Sequence, residues 1–171
     1  MMSDEMLDGE PLPQRTGLGF VKELRAERQR AKTRTVTWRD SDRPEFVLTL
    51  RVPSDMDVIL GIESRAEEQA GEDGAPAAAI IQACMTMAMF TTELKVRGAQ
   101  VSTGDGSPFA DPALQEALGV KGARGASWRA VRELYITEGG GYDDVAVLRV
   151  VNNLTTEMGV SQKSVHKVDP T

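Results

Sequence analysis

The chain has 171 residues, a net charge of −6, 40% hydrophobic but only 5% aromatic residues, and one cysteine. The negative balance argues against general nucleic-acid binding and against a polybasic membrane-surface mode, because phosphate neutralisation needs a basic footprint, and a lone cysteine excludes an intrachain disulfide. A core poor in aromatics has to be built from Leu, Ile, Val, Met and Ala, which favours packed helices over an aromatic-rich β-sandwich in a chain of one-domain size.

Residues 1–19 carry Asp, Glu, Gly, Pro11 and Pro13 and are expected to form a disordered acidic tail. Met1 to Glu10 lacks the basic and apolar blocks of a secretory signal. Residues 20–34 follow as a basic helix or arm, with Lys22, Arg25, Arg28, Arg30, Lys32 and Arg34 set against Glu23 and Glu27. Its large apolar residues are Phe20, Val21 and Leu24, so this arm is marginal alone and is expected to order on something else.

A single globular domain is expected over residues 35–159, beginning with a β-hairpin over 35–52. Val36 and Trp38 share one face of its first strand. Phe46, Leu48, Leu50 and Val52 share one face of the second, across a loop of about four or five residues. Helices are expected over 54–69, 77–97, 111–118, 127–138 and 142–158. Ser54 reads as the cap of the first, with Asp55 and Asp57 in its opening turn. Pro76 reads as a first-turn proline of the second, whose apolar residues make it the central helix, with Gly98 as its stop. Its apolar run, Ala77 to Phe90, is broken by Gln82 and Thr86 and is too short to span a membrane. A short hairpin around Val101 is the expected content of the loop after Gly98. Asp111-Pro112 is a helix start and Gly119 its end. Trp128, Val131, Leu134 and Tyr135 share a helical face, and Gly159 closes the last helix. Residues 160–171 read as a flexible tail. The expected fold is therefore α+β, mainly α: an N-terminal β-hairpin followed by a compact bundle of about five helices.

Catalytic and metal chemistry find little support. The one histidine, His166, lies in the C-terminal tail, and with one His and one Cys no zinc pattern can be assembled. Cys84 sits in an apolar stretch, where a free cysteine behaves as a small hydrophobe. Thr103 to Ser107 (Thr-Gly-Asp-Gly-Ser) lacks the alternating carboxylates of a calcium loop and the Gly-Lys-Ser/Thr ending of a phosphate loop. Asp143 and Asp144 read as helix-capping residues rather than an acid/base pair. No enzyme, cofactor or metal is expected, and the chain reads as a non-enzymatic binding protein of the cytoplasm.

Several residues are candidates for partner contact. Glu63, Glu67, Glu68, Glu72 and Asp73 form an acidic patch, either a solvated face or a surface for a basic partner. That partner includes the basic arm, Lys22, Arg25, Arg28 and Arg30, so opposite blocks on two copies can pair and drive self-association. Met85, Met87 and Met89 suit an adaptable groove, but residues two apart on a helix face different ways, so core packing is expected for at least two of them. Trp128 and Tyr135 complete the candidate contact residues.

The order of the C-terminal half carries a family resemblance. A central apolar helix and a Gly/Asp loop lead into Phe109-Ala110-Asp111-Pro112-Ala113-Leu114-Gln115-Glu116-Ala117-Leu118-Gly119. Ala130-Val131-Arg132-Glu133-Leu134-Tyr135, a glycine break and a last amphipathic helix follow. Over Pro44 to Gly159 this arrangement resembles the tail assembly chaperones of long-tailed bacteriophages, small proteins encoded just upstream of the tape measure. The resemblance implies a protein that binds the helical tape measure protein, keeps it soluble and helps tail-tube subunits assemble around it. It also implies residence in the host cytoplasm, absence from the finished virion and, in many members, a longer frameshifted form. Two other readings stand beside it: a virion component of the head–tail connector or tail-terminator type, and a bacterial adaptor using Lys22 to Arg34 as a nucleic-acid arm.

Overall fold

The structure is a computed structural model that describes residues 16–32, 34–102, 104 and 106–166. The expected tail over 1–19 lies largely outside the described residues, but Gly17 to Gly19 already belong to the first helix, α1 (Gly17–Lys32). Two strands follow, β1 (Thr35–Arg39) and β2 (Phe46–Arg51), paired antiparallel with Thr37 opposite Thr49 and Arg39 opposite Val47. This is the expected hairpin, with Phe46, Leu48, Leu50 and Val52 buried. Its connection, residues 40–45, is longer than expected because Asp40 starts a turn of its own: its Oδ1 accepts from the Asp42 amide at 2.8 Å.

Helix α2 (Met56–Ala70) is capped by Asp55, whose side chain accepts from the Asp57 amide, and not by Ser54. Helix α3 (Ala78–Phe90) starts after an Ala77 cap, so Pro76 lies outside it rather than in its first turn. α3 packs against α2, α5 and α6 and touches β2, and it is the central helix the sequence anticipates. With Ile81, Ala83, Cys84, Met87 and Phe90 buried, it presents apolar surface around most of its girth.

The expectation of one helix over 77–97 is overturned. α3 ends at Phe90, and the chain continues as strand β3 (Thr91–Val96), which pairs antiparallel with β2 across a register irregularity at Thr49/Leu50. Two β-branched threonines open the strand. Thr91 closes the helix by donating both its amide and its Oγ1, the latter at 2.6 Å, to the Met87 carbonyl. Arg97 and Gly98, both at positive φ (52° and 80°), then make a tight hairpin turn into β4 (Ala99–Gln100). Gly98 therefore turns a hairpin instead of stopping a helix. The sheet runs β1-β2-β3-β4, with Leu48, Leu50 and Leu94 fully buried on its helix-covered side.

A single 3₁₀ turn (Pro108–Ala110) precedes α4 (Pro112–Ala117), whose Asp111 cap accepts from the Ala113 amide at 2.8 Å, as the sequence anticipates. Helix α5 (Ala126–Leu134) is shorter than expected. The carbonyls just past its end are taken up from outside: Tyr135 O accepts from the Asp143 amide, and Arg43 Nη2 donates to Ile136 O at 2.9 Å. A cation at that end also suits the helix dipole. Helix α6 (Asp144–His166) is longer than expected; it passes through Gly159 and takes in part of the presumed tail. One interior glycine costs about 1 kcal/mol relative to Ala, too little to end a helix with apolar anchors at Val147, Val150 and Leu154. The fold is thus α+β and mainly α, with a four-stranded antiparallel sheet rather than a lone hairpin.

Candidate partner-binding groove

A groove of about 510 Å³ opens where α2, α3 and the start of α5 meet. α3 supplies Met85, Ala88 and Met89. Gly125 and the first turn of α5, Ala126, Ser127 and Trp128, supply another wall. α2 supplies Arg65 and Gln69, while Ser107 and Ala110 close one end. Met85 and Met89 stand one helical turn apart and so share a face. Met87 points the other way and is fully buried. Met85 also leans on the core, so two of the three methionines pack there, as the spacing requires, while Met89 remains 37% exposed.

The groove owes its shape to two polar devices. Trp128 Nε1 donates to Gln69 Oε1 at 2.7 Å, joining α5 to α2. This contact passes so close to Gly125 that a Cβ there would lie 2.1 Å from Trp128 Nε1, and Gly125 itself adopts φ +70°. Only glycine meets both demands. Ser107 Oγ donates to the Ala88 carbonyl and accepts from the Phe109 amide, which ties the loop before the 3₁₀ turn to α3.

Charged residues neighbour Trp128 and Gly125. Arg129 lies over the Trp128 ring at 4.5 Å and Arg124 pairs with Glu72, which also faces Arg129. Arg65 Nε donates to the Gly61 carbonyl of its own helix. A lining that is mostly apolar and small suits an amphipathic helix better than a small charged molecule.

The sequence candidates separate sharply. Tyr135 (1% exposed) is a core residue, whereas Trp128 (3%) is buried and also lines the groove. Sequence spacing placed them correctly on one face, but that face is turned inward. Lys22, Arg25, Arg28 and Arg30 are exposed on α1, and Glu63, Glu67 and Glu68 are exposed on α2. Among the described residues the structure does not pack α1 extensively on α2 or on any other element. Sequence reading missed Arg65, Gln69, Ser107 and Gly125. The available signal was the run of small residues Gly125-Ala126-Ser127 directly before Trp128, which leaves room beside a large ring.

A second polar cluster joins the β1–β2 loop to the start of α6. Arg149 pairs with Asp42 at 2.8 Å and with the buried Asp40 at 3.2 Å. Arg43 faces Asp143 at 3.4 Å and lies over the Phe46 and Tyr135 rings. These groups pair with one another, yet Asp40 Oδ2, Arg149 Nε and the Tyr135 hydroxyl are buried without a hydrogen-bond partner. Asp143 caps α6 through the Ala146 amide, whereas Asp144 turns to Arg132 at 3.1 Å. Cys84 is fully buried, and burial together with Asp144 pushes its thiol up to about 12, the opposite of an activated nucleophile. Burial likewise pushes the Tyr135 hydroxyl up. The side chain of His166 and residues Thr103 and Asp105 lie outside the described residues. Among the described residues no group of three or more His, Cys, Asp or Glu is placed to hold a metal, and no helix is long and apolar enough to cross a membrane.

These features define a mainly helical α+β protein with an apolar groove between helices. No protein-family model, curated protein or solved structure matches the chain.

Proposed function

We propose that this chain is a phage tail assembly chaperone that holds helical segments of the tape measure protein in the groove between α2, α3 and α5. It keeps that protein soluble in the host cytoplasm while tail-tube subunits assemble around it, and it leaves before the virion is complete. The observation that carries the reading is the methionine-lined groove of about 510 Å³. Methionine side chains adapt to different apolar partners, as a protein must that covers many segments of one long helix. The order of the C-terminal elements, which resembles that family, supports the same reading. On α1, Glu23 and Glu27 interrupt the basic residues, which weakens the alternative of a phosphate-tracking arm.

Co-expression with the product of the long helical gene downstream tests the proposal. A soluble complex is expected, and Met89→Glu, at an exposed groove position, should abolish it while the chaperone stays folded. A partner that remains insoluble with the wild-type chain, or a complex indifferent to Met89→Glu, would count against the groove. Abundant chain in purified particles would instead favour a virion component.

A further inference from the structure

The densest group of exposed large apolar side chains among the described residues lies on α1: Leu18 (75% exposed), Phe20 (48%), Val21 (60%) and Leu24 (52%). A helix of this length is marginal alone in water, so an apolar face left open on it calls for a cover. Phe20, Val21 and Leu24 fall on one side of the helix, with Arg25 and Arg28 along its margin. α1 holds five basic residues against two acidic ones.

α2 has the opposite character. Its inner side buries Ile62 and Ala66, and its outer side exposes Leu60 (56%) among Asp57, Glu63, Glu67 and Glu68. It holds four acidic residues against one arginine. Gly61 and Ser64 flank Leu60 and keep that surface low, and a Cβ built on Gly61 meets nothing within 4 Å. Each face therefore pairs an apolar centre with charges that suit the other, and one sequence supplies both halves.

We propose that α1 of one copy packs on the outer face of α2 of a second copy. The contact is made twice, about a twofold axis, so the two copies close into a dimer rather than an open chain. Phe20, Val21 and Leu24 cover Leu60, while Arg25 and Arg28 face Glu67 and Glu68. The face used is not the methionine-lined groove, so the dimer and the proposed chaperone function can fail independently.

Sedimentation of the full chain over a concentration and salt series provides the test. A dimer is expected at low salt, loosened as ionic strength rises toward about 0.5 M, where screening acts within a few ångströms. Arg25→Glu/Arg28→Glu and Glu67→Lys/Glu68→Lys should each be monomeric, with circular dichroism unchanged since all four sites are exposed. Mixed in equal amounts, the two variants should dimerise again, because both contacts then join opposite charges. A wild-type monomer at every concentration would overturn the proposal. So would a dimer that either variant leaves intact, or two folded variants that do not recombine.

Discussion

Helices α1 and α5 are built from similar materials and have opposite fates. Each mixes arginines with a few large apolar residues. α5 buries Trp128, Ala130 and Val131 beside α3, whereas α1 leaves Phe20, Val21 and Leu24 in solvent. The difference lies in what surrounds each helix. α5 is flanked by a glycine turn that swings it onto α3 and by the Arg43 and Asp143 contacts that hold its far end. α1 leads directly into the hairpin that follows it, and among the described residues no other element packs extensively on it. Amphipathicity alone therefore does not assign a helix to the core; an apolar stripe with no place against its own core is available to a partner.

The comparison can be broken most forcefully at Trp128. Trp128→Ala removes a buried ring and its bond to Gln69, and should cost about 3–5 kcal/mol in urea unfolding. Gly125→Ala is expected to cost about 2 kcal/mol, from a left-handed backbone that disfavours a side chain and from the displaced indole. A loss within experimental error would mean that the α2–α5 junction is looser than its geometry implies.

Alkaline pH probes the same core. The folded-state pKa of Cys84 is raised from 9.0 to about 12, so the folded chain keeps a proton that the unfolded chain releases. That contribution to stability is fully present below about pH 9 and is lost as pH rises toward 12. Unfolding midpoints should fall over that window, and less so in Cys84→Ala measured against its own neutral-pH value. At neutral pH, thiol labelling of the native chain should be slow and should accelerate with denaturant. The smallest effect is expected on α1: Phe20→Ala and Leu24→Ala, measured on dilute monomer, should shift stability by no more than about 0.5 kcal/mol. A larger loss would show that α1 is packed in solution and would remove the contrast with α5.

Much of the fold was legible because periodicity reports burial. The alternation in β2, the helical spacing in α5 and the Asp111-Pro112 start of α4 all reappear where the residues place them. Thr91 to Val96 was misread because Leu94 continues the helical spacing of α3, and six residues cannot separate the two periods. The open edge of β2 decided the matter by offering backbone partners to a β-branched segment. Gly159 was misread in the opposite sense, since a single glycine looks like a stop until the helix around it has packed. The contact residues suffered most: Trp128 and Tyr135 attract notice as aromatics, and aromatics are also what a core poor in rings buries first.

The amino-acid sequence alone determined the mainly helical α+β class, the central place of the apolar helix that opens near Ala77, and the basic and acidic character of α1 and α2. Those are properties of composition and local spacing. Tertiary structure alone decided that the chain after Phe90 is a strand, that Met85 and Met89 share a groove with Gln69, Ser107 and Gly125, and that Trp128 faces inward while Phe20 does not. These depend on which surfaces meet across long separations in sequence, and no local pattern carries that information.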